Sequence, residues 1–327
     1  MKFSIQQHVL NEAVQTVSKG ISLRSPIQIL TGMKIDVYSD EIMLTGSDSD
    51  ISIVYRIPKE KGDMQLFSVE NEGAIVLPNQ YFTEVVRKCP GEEITIETDA
   101  LVANIHSGNA QFQLHGYNPE EYPRLPEINQ YQTMRFPVQL LLQMIKQTVF
   151  AASTKELRPI LMGIYFHALE NDVAFVATDS HRLARRQARL DYACEKEHSA
   201  VIPAKSLNEM SRLLDGITDT VNLLFTPNQM VMETDQVSFY SRLLNGAYPD
   251  IQRIIPNQFK SSFDVETKSL LSAIERASLL AKESKNNVVE LQLLSETQVQ
   301  LTSNIPEIGK VTERVPIGNW QGEELRI

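Results

Sequence analysis

The chain has 327 residues, 42% of them hydrophobic and 22% charged, and a formal net charge of −10. That length suits two or three domains, the composition is that of a soluble globular protein, and no apolar run approaches the ~18 residues of a membrane span. The negative balance argues against a body that grips nucleic acid by bulk charge, while leaving room for a basic stripe on one face. Cys89 and Cys194 stand far apart outside any CxxC pattern, and the six histidines are scattered singly. No disulfide framework, metal site or cofactor is expected from that pattern. The opening MKFSIQQHVL has no secretory apolar core, and a cytoplasmic location is expected.

The chain repeats itself. At the start, Phe3 and Ile5 precede a stretch in which Val9, Leu10, Ala13 and Val17 share one helical face. The spacing i, i+3, i+4, i+7 predicts a helix with one buried side. A proline-marked loop and SPIQILTGMKIDV follow, with a second strand ending at Asp48. AIVLPNQYFTEVVRKC, 74–89, predicts a second helix opened by a proline, which costs nothing where the first N–H groups have no intrahelical partner. A hairpin, ITIETDALVANIHSGNAQFQLHG, turns at Ser107-Gly108-Asn109. It runs into GYNPEEYPRLP, where Tyr122-Pro123 marks an exit from the sheet.

The same order returns from Phe136. Leu141, Leu142, Ile145 and Val149 form the helical face, RPILMGIYFHA the loop and strand, and VATD ends at Asp179. AVIPAKSLNEMSRLL is the proline-opened helix, VNLLFTPNQMVMETDQVSFYSRLL the hairpin, and GAYPDIQRIIP the exit phrase. From Phe263 the order starts again, with Leu270, Leu271, Ile274 and Ala277 as the helical face and VQLTSN ending at Asn304. The three phenylalanines are 133 and 127 residues apart, and 64 residues follow the last of them. The third copy is therefore expected to be incomplete and the least stable of the three. The fold expected is α+β, three tandem copies of one unit with helices on one face of an antiparallel sheet. Its domains are expected at 1–125, 126–256 and 257–327.

With ATDSHRLA at 177–184, YPDIQRIIP at 248–256 and SLRSPIQIL near the N-terminus, the chain resembles the bacterial DNA polymerase III β subunit family, the sliding clamps, of a Firmicute type. The resemblance runs through the whole chain in order. It implies a DNA polymerase processivity factor, not an enzyme: a homodimeric ring with helices around duplex DNA and strands outside. Such a ring would hold polymerase at high effective concentration. Helix-lining cations implied are Lys19, Arg24, Arg87, Lys88, Lys146, Lys155, Arg158, Lys205, Arg212, Lys282 and Lys285. Among them Arg24, Lys205 and the Lys155–Arg158 loop match the family's DNA contacts. Pro159 and Ile160 stand where some clamps have aromatic residues, so contacts to phosphate are expected, independent of sequence and sensitive to salt.

The resemblance also implies a groove that takes short linear motifs of the replicative polymerase, clamp loader and repair proteins. Its residues would be Leu161, Thr178, Ser180, His181, Arg182, Leu183, Pro249, Arg253 and Ile254, apolar side chains taking the anchors and polar ones orienting them. A ring seam would pair Phe112 and Leu114 with Leu279 and Leu280, weakened by the short third unit. The family also implies nucleoid association.

Two rival functions compete with this one. Asp179, Ser180 and His181 sit consecutively, so alternating side chains cannot build a hydrolase triad among them, and no GxSxG is present. A repeat-built peptide-binding scaffold without DNA is the other reading; it has no need of cations gathered on the helices. No GxxxxGK[ST] loop occurs, so ATP hydrolysis would belong to a separate loader.

Overall fold

The computed structural model describes every residue except 126–130, 156, 218, 282–287, 307 and 324–325, and the side chains of 132 and 192–196. The chain packs as two compact units, Met1–Tyr248 and Pro249–Ile327.

In the first unit, β1 (Lys2–Gln6) leads directly into α1 (Gln7–Ser18). Then come β2 (Gly32–Val37), β3 (Glu41–Ser47) and β4 (Ile51–Pro58). A small ribbon, β5 (Glu60–Lys61) with β6 (Met64–Gln65), precedes β7 (Phe67–Asn71) and β8 (Gly73–Pro78). α2 (Asn79–Lys88) is followed by β9 (Glu93–Asp99), β10 (Val102–Ser107) and β11 (Ala110–His115). The order then repeats with β12 (Gln132–Pro137), α3 (Val138–Thr148), β13 (Gly163–Thr178) and β14 (Leu183–Pro203). It ends with α4 (Ala204–Leu213), β15 (Thr220–Phe225), β16 (Gln229–Glu233) and β17 (Val237–Arg242). β13 is β2 and β3 run together, and β14 spans what β4 through β8 span in the first copy. Register shifts around Glu170, itself at φ +52°, mark where the long hairpin bends.

Pro78, Pro137 and Pro203 take the N-cap positions of α2, α3 and α4, at φ between −55° and −61°. α1 buries Leu10, Ala13, Val14 and Val17; α3 buries Val138, Leu141, Met144, Ile145 and Thr148. The expected faces are present in both, with Val9, Leu142 and Val149 at their partly buried flanks. α2 packs beside α1 and α4 beside α3.

One antiparallel sheet of eight strands, in the order β12-β15-β16-β17-β4-β3-β2-β8, runs through both copies. The joint is β17 on β4, in register from Val237↔Tyr55 to Ser241↔Ile51. Arg56 reinforces it, its amide donating to Gln236 O at 2.8 Å and its Nη1 to Ser238 Oγ at 2.8 Å. A five-stranded sheet, β11-β10-β9-β1-β7, closes the first copy. Phe3, Phe82, Phe136, Phe166 and Phe239 belong to one continuous core cluster. The division expected at 125/126 thus falls inside one packing unit, because the sheet and the core both continue across the two copies.

The second unit starts with the short α5 (Ile251–Ile254), then β18 (Ser261–Val265), α6 (Thr267–Ala281), β19 (Glu290–Ser295), β20 (Gln298–Ile305) and β21 (Gly309–Gly322). The sheet order is β18-β21-β20-β19. Here the expected helical face is corrected. α6 turns Ala273, Ala277 and Ala281 to the core, with Leu270 packed beside them, and leaves Leu271 53% and Ile274 40% exposed. The alanine stripe lets α6 lie close on the sheet. Among the described residues no second helix covers its flank, as α2 covers that of α1.

Candidate functional site

Helices from both copies bring cations together in the first unit. Lys19, at the C-cap of α1, donates from Nζ to the Arg212 carbonyl of α4 at 3.4 Å. Lys205, in the first turn of α4, reaches back to Asp48 Oδ2 of the first copy at 3.4 Å. Lys146 of α3 and Arg212 line one open groove between α3 and α4, over a floor of Leu142, Ile145 and Val149. Lys19, Lys146, Lys205 and Arg212 are all exposed. Arg212 is held by Glu209 at 2.7 Å, one turn earlier. Arg87 and Lys88 are tied instead to Glu84 of their own helix, at 2.6 and 3.3 Å, and Arg87 first holds that carboxyl below its usual pKa.

Arg24 and Arg158 occupy matching loops. Each follows an exposed leucine, Leu23 or Leu157, and each precedes a short 3₁₀ turn, Gln28–Thr31 or Pro159–Met162. Lys155 is exposed in the second of these loops, its amide donating to Ser153 Oγ at 3.1 Å. Lys282 and Lys285 lie outside the described residues.

The Asp-ended strands lead into matching turns. Between β3 and β4, Asp48 Oδ1 accepts from the amides of Asp50 and Ile51, both at 2.8 Å. Between β13 and β14, Asp179 Oδ1 accepts from His181 at 2.9 Å and Arg182 at 3.0 Å. This is the Asx turn that a short carboxylate side chain favours, and the amides of His181 and Arg182 hold the Asp179 carboxyl below its usual pKa. Asp179 Oδ2 also accepts from Arg182 Nε at 3.0 Å, and the Arg182 guanidinium sits 5.9 Å from the Phe150 ring centre. Thr178 closes the loop: its Oγ1 donates to Arg182 O at 2.7 Å and accepts from Ser180 N at 3.2 Å. Ser180, at φ +79°, makes the reversal.

The tyrosines of the two exit phrases address these turns. Thr178 N–H donates to the Tyr248 hydroxyl at 3.1 Å, and the Tyr248 ring stacks on Tyr165 at 5.3 Å between centres. In the first copy Tyr122 is 5% exposed, and its hydroxyl faces the Ser47 backbone without reaching hydrogen-bond geometry.

Residues 1–126 match the profile of the DNA polymerase III beta subunit N-terminal domain, 135–250 that of its central domain, and 252–327 that of its C-terminal domain. The beta sliding clamp of Bacillus subtilis (strain 168) is 45% identical, with all of this chain and 87% of that protein covered. That of Staphylococcus aureus (strain N315) is 37% identical, covering 100% and 86%. The crystal structure of the DNA polymerase sliding clamp from Bacillus subtilis superposes with a TM-score of 0.97 at 45% identity, over 100% of this chain and 86% of that one. The beta chain of DNA polymerase III from Streptococcus pneumoniae gives 0.94 at 34% identity, with the same coverage. The chain belongs to the DNA polymerase III beta subunit family.

Of the residues that the clamp resemblance assigned to a partner groove, Leu161, Thr178, Ser180, His181, Arg182 and Leu183 belong to the first unit; Pro249, Arg253 and Ile254 belong to the second. Leu161 and Thr178 are buried, at 2% and 4%, so neither presents more than a floor. Ser180, His181 and Arg182 are exposed on the turn, and Leu183 is half-buried at the start of β14. In the second unit Arg253 pairs with Asp250 at 3.1 Å and Ile254 is 47% exposed. Of the seam residues, Phe112 and Leu114 are half-buried on β11, at the edge of the five-stranded sheet. Leu279 is 67% exposed and Leu280 half-buried at the end of α6.

Sequence reading missed what Tyr122 and Tyr248 do, although their repetition was the signal. It also missed the Arg182–Phe150 contact, for which the sequence carries no local sign. Among the described residues no three His, Cys, Asp or Glu side chains gather as metal ligands, and no helix is long and apolar enough to cross a membrane. Cys89 is a buried free thiol, its pKa pushed up by burial; the Cys194 side chain lies outside the described residues.

Proposed function

We propose that the chain is a DNA polymerase processivity factor, a sliding clamp without catalytic activity of its own. It works as a homodimeric ring around duplex DNA, in the cytoplasm and at the nucleoid. The observation that carries this reading is the meeting of Lys19, Lys146 and Arg212 from helices of two successive copies, with Lys205 of α4 reaching back to Asp48 of the first copy. In a chain of net charge −10, cations gathered on helices suit a face turned to phosphate. Phosphate contacts bind without reading sequence, as a sliding protein needs. Arg24, Lys155 and Arg158 add contacts from the loops, and Lys282 from the end of the third copy.

The three copies are assigned to 1–125, 126–256 and 257–327. The turn residues Thr178, Ser180, His181, Arg182 and Leu183, with Leu161 beneath, take short linear motifs of polymerase, loader and repair proteins. Pro249, Arg253 and Ile254 serve the same partners from the second unit. Phe112 and Leu114 meet the third copy of a second chain at the ring seam, through the positions of Leu279 and Leu280. The test is retention on DNA after loading. The protein should stay on a nicked circular duplex, leave when that circle is cut, and lengthen the products of the cognate replicative polymerase. Equal retention on circular and linear DNA would overturn the reading.

A further inference from the structure

Tyr248 occupies a special place in the chain: it is the last residue of the first unit, and Pro249 opens the second. Its hydroxyl accepts the Thr178 amide at 3.1 Å, and its ring lies on Tyr165 at 5.3 Å with 17° between planes. Thr178 in turn fixes the far side of the loop through the Arg182 carbonyl at 2.7 Å and the Ser180 amide at 3.2 Å. One side chain therefore ties the point where the chain leaves the first unit to the turn that exposes Ser180, His181 and Arg182. Burial pushes the Tyr248 hydroxyl pKa up to about 12, so it stays neutral at working pH. The first copy supplies a built-in comparison. Tyr122 holds the matching Tyr-Pro position and is more deeply buried, yet its hydroxyl only faces the Ser47 backbone, outside hydrogen-bond geometry.

We propose that Tyr248 is a positioning residue, which holds the 178–183 turn in the geometry that receives partner peptides. The inference rests on the assignment of that turn to partner binding. Without the hydroxyl, the Thr178 amide has no acceptor and the strand end moves apart from the exit phrase. The stacked ring remains in a Tyr248→Phe variant, so the fold persists. The Tyr122→Phe variant removes a hydroxyl of equal chemistry from the copy that has no such role.

The experiment measures the affinity of the purified cognate replicative polymerase for the wild-type protein and for each variant. Melting temperature and amide exchange at Thr178 are followed in parallel. Losing one hydrogen bond that orders a binding loop should weaken Tyr248→Phe by about threefold to tenfold. Thr178 exchange should rise while the melting temperature holds, and Tyr122→Phe should bind as wild type does. A purely structural tyrosine would lower the melting temperature and leave affinity alone, which would overturn the inference. So would unchanged exchange at Thr178, whatever the binding shows. A wild-type protein that fails to bind polymerase would overturn the partner-site assignment itself, and is distinguished from the other outcomes by that.

Discussion

His198 carries a titratable ring into an aromatic nest. It packs 4.8 Å from Phe225 and 6.1 Å from Phe166, with Nε2 buried and unbonded. Burial disfavours the charged ring and lowers its pKa below the ordinary 6.5. The unfolded chain therefore binds this proton more readily than the folded one. The stabilisation is complete above pH 6.5 and is lost as pH falls from there through the folded pKa. Chemical denaturation between about pH 8 and about pH 5 should show the wild type losing stability over that window. His198→Phe, which keeps a ring of similar bulk, should show a shallower loss; an identical slope would mean that His198 does not set it. Residues of this kind show what sequence alone conveys. The Asp48 and Asp179 turns were legible as matching positions, since short carboxylates end strands in recognisable ways. The tie from Tyr248 to Thr178 spans 70 residues, and no local pattern encodes that reach.

At the scale of elements, α1 and β3 meet closely because Gly46 has no side chain. A Cβ there would lie 2.7 Å from Val17 Cγ1, from the Val17 carbonyl and from Ile21 Cγ1. Because one of these atoms belongs to the backbone, rotation of a side chain cannot relieve the clash. Gly46→Ala should destabilise the first unit by about 1–3 kcal/mol, measured by denaturant midpoint; no loss would mean the helix is not seated so tightly. Close packing of this kind also decides which helices were legible. In α1 and α3 the apolar period matches the buried face, because the sheet and a neighbouring helix together cover a broad stripe. In α6 the period admitted Leu271 and Ile274, whereas the sheet takes the alanines and leaves those two exposed. Hydrophobicity marked the helix correctly but could not tell a face covered by sheet from a flank that needs a second helix.

For the whole molecule, the decisive feature is the joint of β17 on β4, which turns two sequence repeats into one eight-stranded sheet. The repeat itself was plain from three phenylalanines and two Tyr-Pro phrases. The joint was not, because the pairing of strands so distant in sequence is set by packing and register, neither of which alternation in one strand reveals. With that sheet continuous, the helices of both copies bring Lys19, Lys146 and Arg212 together, and Lys205 reaches from α4 to Asp48 of the first copy. The most direct measurement is equilibrium binding to a nicked circular duplex across a salt series, for the wild type and for a variant with all four cations changed to alanine. The variant should bind more weakly on every sequence, with a salt slope shallower by ~0.9 for each phosphate that it no longer neutralises. Unchanged affinity and an unchanged slope would contradict a cationic helical face turned to DNA.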